Sequence, residues 1–67
     1  MSSTIDTLVR MANQIAANLA HEPEPATATA EHIQLFWDPR MKASIRAHDG
    51  AGLTPVASEA IRLLADA

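Results

Sequence analysis

Residues 35–42 read LFWDPRMK. The octet holds the only Phe, the only Trp and two of the five basic residues of a 67-residue chain. Asp38 suits the position just before a helix and Pro39 the first helical position, where a missing N–H costs nothing and φ is already helical. A proline there also stops any helix arriving from the left. The octet therefore predicts a bend between two helices, one ending near Trp37 and one over about 39–48, instead of a single long rod. On the first of them, about 30–37, Ala30, Ile33, Phe36 and Trp37 share one side and Leu35 points away, so something is expected to contact each side. On the second, Met41, Ser44, Ile45 and His48 form a narrow apolar side, with Lys42 and Arg46 stacked away from it and Gly50 and Gly52 ending the helix.

Toward the N-terminus, TIDTLVRMANQIAANLA, residues 4–20, is the clearest helix. Ile5, Leu8, Val9, Ala12, Ile15, Ala16 and Leu19 fall within an arc of about 120° at helical spacing. Ser3 or Thr4 can cap it, with Asp6 completing a capping box if the cap is Ser3. HEPEPATATA, with two alternate prolines, reads as an extended or irregular linker over 21–29, with Thr27 or Thr29 capping the short helix after it. Toward the C-terminus, Thr54 and Pro55 repeat the cap-then-proline pattern and open a helix over about 55–66, apolar at Val56, Ala60, Ile61, Leu63 and Leu64. No strand pattern and no repeat interrupts this order. The expected fold is all-α: one small domain over 1–67, an irregular bundle of three to four helices, completed by packing on a partner subunit or wrapped on a larger surface.

Size limits what such a chain can do. Of its apolar residues 14 are alanine, leaving 15 Leu, Ile, Val, Phe and Trp side chains for an interior. The free chain is accordingly expected to be marginal or partly disordered, above all across residues 21–30. Disulfides and thiolate metal sites are excluded, because there is no cysteine. The absence of a signal-like or membrane-length apolar run makes a cytoplasmic chain the expectation. At net charge -3 the chain as a whole does not attract phosphate backbones, and only Arg40, Lys42 and Arg46 cluster locally. His21, His32 and His48 are the candidates for acid–base work at neutral pH, yet no HExxH pattern or dense ligand cluster surrounds them. Asp38 is accounted for by its cap, and the two glycines lack the lysine and strand of a nucleotide loop. No catalytic or metal site is expected.

The paired rings then have two readings, closing a small core or facing a partner. A poor supply of large side chains, apolar groups on both sides of the short helix and a neighbouring Arg40 able to fork onto carboxylates favour a partner for at least one ring and Arg40. Trp37 and Arg40 are the expected anchor.

MANQIA at 11–16, followed after a spacer by HIQLFWDPRMK at 32–42, resembles the delta subunit of cytoplasmic NAD-dependent molybdenum or tungsten formate dehydrogenases. The likeness covers about two thirds of the chain and leaves the last helix with little signature. It marks Met11, Asn13, Gln14, Ile15 and Ala16 in the first stretch, and His32, Phe36, Trp37, Pro39, Arg40 and Met41 in the second. Aromatic residues often follow the first motif in the family; this chain has Asn18 and Leu19. The resemblance implies a small subunit without a cofactor of its own. Its large catalytic partner is expected to carry a bis-guanine-dinucleotide molybdenum or tungsten cofactor and iron–sulfur clusters, and further subunits to bind FMN and NAD. It also implies that the amides of Asn13 and Gln14, which face away from the apolar arc, hydrogen-bond a partner. The function expected is a non-catalytic accessory subunit; the alternatives are a small helical nucleic-acid-binding or regulatory protein-interaction module and, less supported by the residues, a free-standing enzyme.

Overall fold

The structure, a computed structural model, describes residues 4–66. Four helices follow one another: α1 Thr4–Asn18, α2 Pro25–Phe36, α3 Pro39–Ala47 and α4 Pro55–Asp66. They pack together as a small bundle in which α2 lies most extensively on α4, α1 covers both, and the short α3 touches α1 and α4. The Cα radius of gyration is 10.7 Å, close to the roughly 11 Å expected of a chain this long folded on itself. Of the two arrangements open to the sequence, the packed bundle is therefore the one formed.

Local chemistry explains where the helices start and stop. Asp38 caps α3: its backbone is extended, its Oδ1 accepts the Met41 N–H at 2.8 Å, and Pro39 opens the first turn. With Trp37 also extended, at φ -88° and ψ 143°, two residues turn the chain from α2 into α3. Thr54 does the same work for α4, its Oγ1 accepting the Ala57 N–H at 3.4 Å. The expected Ser3 cap lies outside the described residues.

The linker expected over 21–29 is shorter than the sequence suggested. α2 begins at Pro25, so residues 25–29 are helical and neither Thr27 nor Thr29 is a cap. Pro25 occupies the tolerated first position, behind Glu24, whose side chain makes no capping bond. The alternating alanines that follow are good helix formers. A proline starts a helix as readily as it ends one, and here the second of the two opens α2. α3 in turn stops at Ala47 with His48 extended, and the glycines lie beyond it in the loop to α4, at φ 94° for Gly50 and 83° for Gly52.

Leu8, Ala12 and Ala16 from α1 meet Ala30, Ile33 and Trp37 at α2, Ile45 of α3, and Ala57, Ala60, Ile61 and Leu64 of α4. Five of these eleven buried apolar residues are alanine, which lets helix axes approach closely but contributes little apolar area per residue. Most of the interior's volume therefore rests on Trp37 and the few Leu and Ile. Thr29 is fully buried among them, and its Oγ1 has no hydrogen-bond partner among the described residues, an arrangement that subtracts from stability. On the outer side of α4 the Arg62 guanidinium donates to Glu59 at 2.8 Å, and this hydrogen bond, more than its charge, holds the Glu59 carboxyl below its ordinary range. Among the described residues no helix is long and apolar enough to cross a membrane.

Candidate functional site

α1 and α2 lean on each other near the middle of α1, and the start of α3 passes beside them. Between the three elements lies an open groove of about 400 Å³. From α1 come Met11, Gln14 and Ile15; from α2 and the bend, His32, Phe36 and Trp37; from α3, Met41. Helical spacing explains the grouping: 11, 14 and 15 share one side of α1, while 32 and 36 are one turn apart on α2. The His32 and Phe36 rings pack at 4.7 Å between centroids, tilted by 39°.

The two rings of the opening octet have opposite fates. Trp37 is 6% exposed and Phe36 71%. The expectation that Phe36 and Trp37 share one side of the helix is corrected: the C-terminal residue of α2 points out, and the residue after it folds back into the core. Trp37 is thus the floor of the groove and not a projecting anchor, while Phe36 stands at its rim. Met11, at 38% exposure, lies opposite as a flexible, polarizable side chain suited to an adaptable contact.

The Asn13 amide is engaged within the chain: Nδ2 donates to the Gly52 carbonyl at 2.9 Å, and Oδ1 accepts the Thr54 N–H at 2.9 Å. The side chain thus clamps the loop before α4 onto α1, across 39 and 41 residues of sequence. Gly52 is favoured there by its positive φ, and a Cβ would sit tightly against Val9, 3.3 Å from its Cγ1. Replacing Asn13 with Ala removes both bonds, and the expected loss is about 1–2 kcal/mol of folding stability. Urea denaturation checks it, and an unchanged midpoint would show that the clamp does not hold in solution.

The remaining expected site residues divide. Gln14 keeps its place at the groove, its Nε2 donating to Asn18 Oδ1 at 3.1 Å. Pro39 lines a different depression, with Gln34, Lys42, Arg46 and Leu64. Arg40 is exposed, makes no ion pair among the described residues and lines neither depression. Met11 and Ile15, both marked by the resemblance and Ile15 also by its place in the apolar arc, complete the groove. On the wheel Met11 lies just outside that arc, beside Ile15.

Chemically the groove offers an apolar floor with one amide and one imidazole at its edge, which suits an apolar side chain of another molecule better than a reacting group. Among the described residues no three His, Asp or Glu are placed to hold a metal ion. His21 sits exposed beside Glu22 at 3.3 Å, and His48 Nε2 lies 2.8 Å from the Ala51 carbonyl in the loop after α3.

The stretches that meet at this groove are also those through which the chain is related to known proteins. Residues 7–61 match the family model described as NADH-dependant formate dehydrogenase delta subunit FdsD. The match runs past both motifs and the Asn13 clamp into α4, further along the chain than the motifs alone suggested. No curated protein and no solved structure matches the chain. Because the matched region takes in most of the sequence, including every residue of the groove, this chain belongs to the FdsD delta-subunit family.

Proposed function

We propose that the chain is a non-catalytic accessory subunit of a cytoplasmic NAD-dependent formate dehydrogenase, docking through the groove of Met11, Gln14, His32, Phe36 and Met41 onto the large catalytic subunit. In this reading the other subunits oxidise formate to carbon dioxide and reduce NAD, using a bis-guanine-dinucleotide molybdenum or tungsten cofactor, iron–sulfur clusters and FMN. The small subunit supports their assembly, cofactor maturation or stability. One observation carries the reading: two family motifs separated by a spacer line a single open apolar groove. An exposed Phe and Met above a buried Trp floor provide the kind of aromatic and adaptable contact that concentrates binding energy.

The basic residues give less support to nucleic-acid binding. Lys42 is turned to the Gln34 carbonyl at 3.3 Å and shares a depression with Arg46 from which Arg40 is absent. Two positive side chains in one place neutralise too few phosphates for useful affinity.

Affinity purification of the tagged full chain from its native cell tests the proposal. The large catalytic subunit is expected to co-purify, and the purified small chain alone is expected to neither oxidise formate nor bind NAD. Recovery of the chain without that subunit, or turnover by the chain alone, contradicts the reading.

A further inference from the structure

The side of α2 away from the groove carries a second surface that the docking reading does not use. Three shallow depressions run into one another along it: Glu31 lies between the first and second, and Gln34 and Leu64 between the second and third. The first is acidic, with Glu24 and Glu31. The second is apolar, with Leu35, 76% exposed, beside Leu63 of α4. The third is basic, with Lys42 and Arg46. Residues 24, 27, 28, 31, 34 and 35 recur at helical spacing, so the acidic end and the apolar centre form one stripe of α2, which the start of α3 prolongs. Among the described residues none of Glu24, Glu31, Lys42 and Arg46 has an ion-pair partner.

A strip that is acidic at one end, apolar in the middle and basic at the other is complementary to itself when reversed. A two-fold axis crossing it near Leu35 brings the acidic end of each copy onto the basic end of the other and closes the two apolar centres together, which is the condition for an isologous interface. A parallel arrangement would set like charges against each other. We propose that the free chain forms a two-fold dimer through this strip, with α2 antiparallel to α2 of a second copy. The inference goes beyond the subunit reading and does not rest on it, since the strip and the motif groove lie on different sides of α2.

Sedimentation of the full chain over a range of concentrations tests it. A dimer is expected at low salt, with its dissociation constant rising at least about tenfold by about 0.5 M salt, as exposed ion pairs are screened. Lys42→Glu with Arg46→Glu, and separately Glu24→Lys with Glu31→Lys, should each give a monomer, because each makes the two ends of the strip alike in sign. Mixing these two variants should restore a dimer, now heteromeric. Leu35→Glu, at an exposed position where folding is not at stake, should also give a monomer by facing its own copy across the axis. Circular dichroism on every variant verifies that the helices remain. A wild-type chain that stays monomeric at low salt, a dimer indifferent to the reversals, or two reversed variants that do not pair would each overturn the proposal. Variants altered only in the motif groove, such as Phe36→Ala, should still dimerise, and loss of the dimer there would move the interface away from the strip.

Discussion

Replacing Trp37 with Ala is expected to unfold the free chain. A buried Trp cut back to Ala costs about 3–5 kcal/mol in lost burial and residual cavity, and a domain of this length has only a small margin to lose. The surroundings cannot close the hole cheaply, because so much of the interior is alanine: Ala12, Ala16, Ala30, Ala57 and Ala60 are all buried. They have no rotamers with which to refill it. The position adds a further cost, since Trp37 is also where the backbone leaves α2, its N–H bonded to the Ile33 carbonyl at 3.0 Å. Helicity by circular dichroism, followed through urea titration, measures the effect. A Trp37→Ala chain that keeps the wild-type midpoint would place the indole outside the core. Any loss of partner binding in this variant must be read as a consequence of unfolding, which is why Trp37 cannot serve as a probe of docking.

Phe36→Ala should behave in the opposite way. With the ring largely in solvent, its removal should change the stability of the free chain by no more than about 0.5 kcal/mol, as for most surface substitutions. If the groove docks the large catalytic subunit, the same change should weaken association by about 2 kcal/mol or more, roughly thirtyfold, because a desolvated aromatic anchor is lost. His32, stacked on the ring at 4.7 Å, would lose its neighbour but not its place on α2. Calorimetric titration against the large subunit gives the affinity, and Leu35→Ala supplies the comparison: an equally exposed apolar side chain of the same helix, on the other side. Equal losses in the two variants, or none in either, would remove the groove from the interface.

These contrasts show how far the residues alone could be read. The ends of α1, α3 and α4 were legible because the signals are local. An Asp or Thr followed by Pro marks a helix start whatever surrounds it, and a run of apolar residues at helical spacing marks one buried side. The start of α2 was not legible, since a proline has the same fixed φ in an extended run and at the first position of a helix; only the packing of Thr29, Ala30 and Ile33 on α4 selects between them. Asn13 shows the same limit for the site. Its outward position on the wheel was right, but the wheel does not contain the Gly52 and Thr54 backbone that comes to meet it. Gln14, His32 and Met41 were recognised as a set through the family motifs, though their common groove was not.

Sequence by itself determined that this protein is a string of three to four helices with breaks at Asp38–Pro39 and Thr54–Pro55, because caps and prolines act within a few residues of themselves. The tertiary structure alone decided which of two adjacent rings is core and which is surface. Phe36 and Trp37 differ by a single backbone step, and Ala30, Ile33 and Leu35 on α2 are compatible with either side facing in. That choice depends on where α1 and α4 lie against α2 and on the extended conformation that swings Trp37 back beneath them, neither of which is a property of the octet LFWDPRMK.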